Sequence, residues 1–230
     1  MRSIDVHAHV TPQCYWRATQ SGGEWHGMRR EQDARGREVM ISGNSRGQLP
    51  PRSSWTPEQR LDDMDSLGVD VQVLSPYAGF YNYDLPVATA KATSVDCNDE
   101  IYQMSTTWPD RFASLGTLPM QDPATAVAEL ERIMVQLQFK GAMIDDKING
   151  KMLDEPEFLP FWKAAEQLGA LILFHQSGET VVSSRIKRYH LPNSMGNLAD
   201  RTLTFASLVF GGVMDACPNL KICFSHGGGY

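Results

Sequence analysis

The sequence is poor in cysteine, in basic charge and in long apolar runs, and each shortage excludes a class of protein. Its four cysteines, Cys14, Cys97, Cys217 and Cys223, form no C-x-x-C pair, so we expect reduced thiols. The net charge of −6 offers no basic patch to nucleic acid. No apolar run approaches the roughly 18 residues of a membrane span, and the N-terminus lacks a signal-peptide pattern. These shortages predict a cytoplasmic globular protein that binds neither nucleic acid nor a membrane.

Apolar strand-like segments alternate with amphipathic helical ones about every 30 residues, the pattern of repeated βαβ units. The first strand begins at residue 4, and five more are predicted at 69–76, 111–119, 139–146, 170–178 and 220–229. Helices are predicted between them, at about 57–67, 86–107, 123–137, 156–168 and 197–217. Two architectures suit this alternation, an open doubly wound sheet or a (β/α)8 barrel. No G-x-G-x-x-G follows the first strand, which removes the main support for a dinucleotide-binding sheet.

Capping signals fix several helix ends. Thr56 and Gln59 form a capping box with Pro57 between them, and Gly68 ends the same helix. Asp122 and Asn197 are expected to cap the starts of later helices.

Residues 13–55 interrupt the alternation. They are polar and rich in glycine, and only 36–42 resembles a strand. An irregular segment of this length inside a compact domain is typical of a lid or binding loop. We therefore predict one domain over 1–230 with an irregular insertion at about 13–55.

Four of the six histidines stand where predicted strands end. His7 and His9 share one side of the first strand, because residues i and i+2 do so in extended chain, while His175 and His226 follow the fifth and sixth strands. Taken alone, the pair His7 and His9 could be a chance occurrence, His175 a core histidine and His226 a turn residue. Together they favour a barrel, which gathers such residues at the C-terminal ends of its strands. His7, His9 and His175 could form most of a mononuclear metal site, and His226 lies within reach as a general acid or base.

Several motifs resemble the amidohydrolase superfamily, in particular its branch typified by 2-amino-3-carboxymuconate 6-semialdehyde decarboxylase. They are IDVHAHVTP, WTPEQRLDDMDSLGVDVQVLS, LGTLPMQDP, FHQSG and GGVMDACPNLKICFSHGGG. The resemblance implies a distorted (β/α)8 barrel. It also implies a divalent metal, zinc first and manganese as the alternative, held by His7, His9, His175 and a late aspartate, with His226 as acid/base. An arginine of the irregular segment binds substrate carboxylate in this family, and Arg52 is the candidate here.

The chain departs from the family pattern in two ways. Gln176 and Ser177 follow the fifth-strand histidine where the named decarboxylase typically has Pro-Trp. Those positions line the pocket floor, so we expect a different substrate and name Gln176 as a substrate-binding candidate. Only about six βα units precede Tyr230, so the last two units and the late aspartate are expected to be missing, through truncation or because a swapped partner supplies them.

The resulting expectation is a metal-dependent lyase that decarboxylates a small carboxylated aromatic-derived or unsaturated acid. The alternatives are water addition or C–C or C–N hydrolysis at the same metal site, and a non-catalytic fragment. The expected partner is the small-molecule carboxylate, and the expected assembly is a homodimer.

Overall fold

The structure is a computed structural model that describes residues 2–43, 45–185 and 187–230. Its main feature is a sheet of six parallel strands in the order β1-β5-β6-β7-β10-β11. These strands are β1 Ile4–Val10, β5 Val71–Pro76, β6 Phe112–Gly116, β7 Gly141–Ile144, β10 Leu171–Phe174 and β11 Lys221–Phe224. Neighbouring strands follow one another along the chain, whereas a doubly wound sheet reverses its order at a switch point. The strand order confirms the predicted partial barrel of about six βα units and excludes the doubly wound sheet.

Helices connect consecutive strands of this sheet. The α-helices are α1 Gln13–Ala18, α2 Pro57–Leu67, α3 Val87–Thr107, α4 Pro123–Glu131, α5 Leu159–Gln167, α6 Asn197–Phe210 and α7 Val213–Ala216. Short 3-10 turns cover Gln20–Gly22, Ala78–Phe80 and Pro156–Phe158, and π-helical turns cover Arg132–Gln136 and Pro192–Gly196. A two-stranded ribbon, β8 Lys147–Ile148 and β9 Lys151–Met152, precedes α5.

The predicted caps are confirmed at α2 and α4 but not at α6. At α2, Thr56 and Gln59 make the reciprocal capping box, and Gly68 ends the helix with φ 67°. The Asp122 side chain accepts the Thr125 N–H at the start of α4. The prediction that Asn197 is a cap is wrong, because the π turn Pro192–Gly196 precedes it with helical backbone and no side-chain cap is present.

The main core lies between the sheet and its helices. Trp162 of α5 is fully buried and its ring lies 6.2 Å from that of Phe174, which stacks on Phe224 at 4.8 Å. The Trp162 indole N–H donates to the Leu153 carbonyl at 2.7 Å, so its one polar atom is satisfied. Aromatic packing beneath β10 and β11 thus supports the strands that precede His175 and His226.

The segment 13–55 is more regular than the sequence predicts. Besides α1 it contains an antiparallel sheet of β2 Met28–Gln32, β3 Glu38–Ser42 and β4 Ser45–Gln48. It has its own apolar cluster, whose buried members are Tyr15, Trp25, Met28, Met40, Leu49, Phe80 and Cys97. Because Phe80 and Cys97 belong to the barrel part of the chain, this cluster attaches the segment to the barrel. Its role as a lid stays a prediction.

The structure also bears on the cysteines and on the apolar runs of the sequence. All four cysteines are free. Among the residues described, no helix combines the length and the apolar character needed to cross a membrane.

Candidate active site

Four histidine rings converge at the C-terminal ends of the strands. Nε2 of His9 lies 3.0 Å from Nε2 of His7 and 3.2 Å from Nε2 of His175. The His226 ring has its centroid 4.9 Å from the rings of both His7 and His175. The structure therefore brings together the four histidines that the sequence singles out. His7, His175 and His226 also form a group whose ligand atoms all lie within 4.8 Å of one another, so distance alone does not separate ligands from acid/base.

Burial keeps these imidazoles neutral. It lowers the pKa of His9 to about 2, with the neighbouring imidazoles adding to the shift. It lowers the pKa of His175 and of His226 to about 4 each, and moves the pKa of His7 down despite the nearby Asp5 carboxylate. A neutral imidazole has a free lone pair, which is the form that binds a metal.

A β-bulge shapes the strand that carries His7. The pairing of β1 with β5 shifts register between Asp5 and Ala8, which places the irregularity at Val6 and His7. Bulges re-aim side chains and occur beside active sites. The Asp5 carboxylate accepts the His7 backbone N–H at 3.0 Å, which holds the bulged backbone in place.

Arg60 and Gln72 support the same strand from α2 and β5. The Arg60 guanidinium donates to the His9 carbonyl at 2.7 Å and to the Gln72 side chain at 3.1 Å. Gln72 in turn donates to Asp5 at 3.1 Å. Because both acceptors of Arg60 are neutral, its positive charge is not cancelled by a direct ion pair with them.

His226 lies in an uncommon backbone conformation. Its φ is 57°, and Gly227, Gly228 and Gly229 follow with φ of 79°, 94° and 137°. A non-glycine residue in the left-handed region costs about 1–3 kcal/mol, and such residues cluster at functional sites. Three glycines in succession allow the backbone to turn sharply after the imidazole.

A fully buried arginine lies behind His226. Arg201 of α6 is 0% exposed, forms an ion pair with Asp146, and donates to the Gln176 side-chain oxygen. It also donates to Ser225 Oγ at 2.9 Å. Burial lowers the pKa of Arg201 to about 10, so it stays charged at neutral pH. The predicted substrate-binding residue Gln176 thus engages this internal arginine through its amide oxygen.

Arg52 lies in a cavity of about 250 Å³ beside His7 and His9, which Trp55, Arg60 and Tyr77 also line. Its guanidinium donates to both carboxylate oxygens of Asp63, at 3.0 and 3.1 Å, and lies over the Trp55 ring at 4.6 Å. The structure therefore places Arg52 beside the histidine pair, with its charge already paired to Asp63.

Asp145 is a buried carboxyl that contacts the loop after His175. Burial raises the pKa of its carboxyl to about 7, although the carboxyl accepts the Ser177 backbone N–H at 3.0 Å. Asp145 directly follows β7 and is buried.

Sequence reasoning missed Arg201, Ser225, Arg60 and the hydroxyl of Tyr81, which donates to the His175 carbonyl at 2.9 Å. Ser225 could have been noticed as the neighbour of His226. An arginine in the middle of a helical segment gives no sign that it is buried, since most such arginines are exposed.

The family model described as Amidohydrolase matches residues 4–230. This chain belongs to the amidohydrolase family. Among curated amidohydrolase relatives, the 2-amino-3-carboxymuconate-6-semialdehyde decarboxylase of Dictyostelium discoideum is 33% identical over 228 residues, which is 98% of this chain and 63% of the relative. The chain therefore spans less than two thirds of that relative's length.

Solved structures of amidohydrolase type share the fold. The crystal structure of 5-carboxyvanillate decarboxylase LigW from Sphingomonas paucimobilis superposes with a TM-score of 0.79 and 27% identity, covering 99% of this chain and 68% of that one. The dihydroxybenzoic acid decarboxylase from Polaromonas sp. JS666, with bound manganese and the inhibitor 2-nitroresorcinol, gives a TM-score of 0.72 at 21% identity. The superposition covers 99% of this chain and 66% of the Polaromonas chain, and at 21% identity the likeness concerns the fold alone.

Proposed function

We propose that this protein is a metal-dependent carboxy-lyase that decarboxylates a small aromatic-derived or unsaturated carboxylic acid. One observation carries the proposal. The Nε2 atoms of His7, His9 and His175 converge within 3.0–3.2 Å contacts, and the ring of His226 lies beside them. The decarboxylase names of the amidohydrolase relatives support this choice of reaction.

The donor set fits a divalent metal ion. The His175 Nδ1–H donates to the Gln176 carbonyl, so the lone pair of this ring is on Nε2. Nδ1 of His9 lies 3.3 Å from the Ser75 hydroxyl, so its Nε2 is the ring nitrogen that faces the other imidazoles. The Nε2 atoms of His9 and His175 lie 3.2 Å apart, close enough for both to bind one ion. Nitrogens at the Zn–N distance of 2.0–2.1 Å, with bond angles of roughly 90–109°, would be about 2.9–3.4 Å apart, which agrees with the contacts.

His7, His9 and His175 would hold this ion, with zinc as the first choice and manganese, found in the Polaromonas enzyme, as the alternative. When bound, the ion acts as a Lewis acid that stabilises negative charge on substrate oxygens.

His226 supplies the proton in the proposed reaction. One ring nitrogen takes up a proton from solvent as the other delivers H⁺ to the carbon that bears the carboxylate, so His226 is neutral before and after the step. The C–C bond then breaks, CO2 leaves, and the bonding electrons restore the unsaturated system, so a proton has replaced the carboxyl group. A positioned acid of this kind contributes roughly 10²–10⁴-fold to the rate.

The cavity beside His7 and His9 suits a small substrate, and its lining carries the guanidinium groups of Arg52 and Arg60 as well as the carboxylates of Asp5 and Asp63. Its volume of about 250 Å³ is below the 300–1,000 Å³ typical of ligand pockets, which favours a single ring or a short chain. Arg52 and Gln176 are the proposed substrate-binding residues. Arg52 lines this cavity together with Arg60, whereas Gln176 is not part of its lining. A homodimer and a cytoplasmic location stay predictions.

The test is product analysis with carboxyl-¹³C-labelled acids, including 5-carboxyvanillate and 2,6-dihydroxybenzoate, in the presence of zinc or manganese. Release of ¹³CO2 with a solvent deuteron in place of the carboxyl group supports the proposal. Products that contain solvent oxygen instead would indicate hydration or hydrolysis. The His226→Asn variant should lose activity, whereas His190→Asn, which removes an exposed histidine, should keep it.

A further inference from the structure

A chain of hydrogen bonds runs from the buried Arg201 through the buried Ser225 to His226, which is itself exposed. The Arg201 guanidinium donates to Ser225 Oγ at 2.9 Å, and Ser225 Oγ lies 3.2 Å from Nδ1 of His226. Arg201 is 0% exposed and Ser225 is 6% exposed, so water does not readily compete for the contact between them. In the described part of the chain these are the two hydrogen-bond partners of Ser225 Oγ.

The direction of each bond follows from the donor inventory. A guanidinium has only donors, so Ser225 Oγ must accept from Arg201. The hydroxyl has one hydrogen of its own, and Nδ1 of His226 is the remaining partner able to accept it. If Nδ1 carried a hydrogen instead, Ser225 Oγ would receive two donors and its own buried hydrogen would have no acceptor. An unsatisfied buried group of this kind is rare and unfavourable.

We infer that Arg201 and Ser225 are positioning residues that hold neutral His226 as the Nε2–H tautomer. The inference rests on the proposed function in one respect, namely that His226 is the proton donor. With Nδ1 accepting from Ser225, the proton is on the nitrogen at the far end of the ring.

The same hydrogen bonds give His226 a different tautomer from that of His175, which is a proposed metal ligand. His175, whose ring centroid is 4.9 Å away, donates from Nδ1 to the Gln176 carbonyl and so has the opposite tautomer. An imidazole with a hydrogen on Nε2 has no lone pair there to give to a metal. Hydrogen bonding thereby assigns acid to His226 and ligand to His175, although the distances within the cluster are similar.

The tautomer can be measured directly by long-range ¹H–¹⁵N NMR of protein labelled with ¹⁵N-histidine at neutral pH. The His226 signals are assigned by their loss in His226→Asn. We expect the Nε2–H pattern in the unmodified protein, both metal-free and after addition of zinc. In Ser225→Ala, the ratio of Nε2–H to Nδ1–H tautomer should fall roughly fivefold, the factor that corresponds to one hydrogen bond.

Ser207→Ala is the matched control, because the Ser207 hydroxyl bonds only within α6, to the Thr204 carbonyl at 3.0 Å. It should leave the His226 ratio unchanged, and Ser225→Thr, which retains a hydroxyl, should restore it. An Nδ1–H pattern in the unmodified protein would overturn the inference, as would an unchanged ratio in Ser225→Ala. Loss of the Nε2–H pattern on addition of zinc would show that His226 is a ligand and would also contradict the inference that Arg201 and Ser225 hold its Nε2–H tautomer. These readouts do not depend on decarboxylation, so failure of the proposed reaction would be seen separately.

Discussion

The rings of His7 and His226 have their centroids 4.9 Å apart, although β1 and β11 are the outermost strands of the six-stranded sheet. In a flat sheet, five spacings of about 4.8 Å would hold these strands roughly 24 Å apart. The contact therefore requires the sheet to curl, as barrel strands do. Correct curvature is a condition for assembling the site.

Replacing His175 with alanine should abolish metal retention. The change removes one of three converging Nε2 donors, and even partners outside the ligand shell affect affinity by 10–100-fold, so we expect at least about 100-fold weaker binding. Zinc and manganese content after dialysis measures the effect, with His190→Ala as the control. Full metal content in His175→Ala would show that the ligand assignment is wrong.

The His226→Asn variant should separate chemistry from binding. Its metal content should match that of the unmodified protein, while turnover falls by roughly 10²–10⁴-fold, the contribution of a general acid. Metal analysis and steady-state rates on the same preparation provide both values. If the metal were lost together with the activity, His226 would have to be counted among the ligands.

We expect little or no turnover of 2-amino-3-carboxymuconate 6-semialdehyde. Gln176 and Ser177 stand where that decarboxylase typically has Pro-Trp, so Ser177 offers no aromatic ring and the Gln176 amide oxygen accepts from Arg201. Loss of substrate absorbance, compared with loss of 5-carboxyvanillate under the same conditions, is the measurement. Efficient turnover of the semialdehyde would contradict the specificity argument.

Asp145 should make the protein less stable as pH rises from about 4 to about 7. Burial raises the pKa of this carboxyl to about 7, so between these values the folded state keeps a proton that the unfolded state has lost. The free energy of unfolding therefore falls with pH in that window. Asp145→Asn removes this contribution, so the variant should gain stability relative to the unmodified protein as pH rises.

Urea unfolding of the metal-free protein across this pH range tests the sign. Asp110→Asn, which removes an exposed carboxyl, is the control and should show no such relative gain. A difference between Asp145→Asn and the unmodified protein that stays constant from pH 4 to pH 7 would be evidence against a buried, protonated Asp145.

The sequence predicted the six strands and the four histidines because both depend on local pattern. Each strand is a short apolar run, and each histidine follows a strand or lies within one. The burial of Arg201 could not be predicted in this way, since Asp146 is 55 residues away and only the tertiary fold makes them partners. In segment 13–55 the strand-like stretch 36–42 corresponds to β3 Glu38–Ser42, but β2 and β4 were missed for a related reason. β2 and β4 are largely polar, and pairing with β3, rather than their own composition, defines them.

Pro50, Pro51, Arg52 and Ser53 line the cavity beside the histidines, and all belong to the segment that β2, β3 and β4 organise. His175 and His226 instead belong to the parallel sheet. The segment therefore contributes part of the wall beside His7 and His9, while the parallel strands hold the reactive groups. A change in the length or sequence of 13–55 would alter this wall and leave the strands that precede His175 and His226 in place.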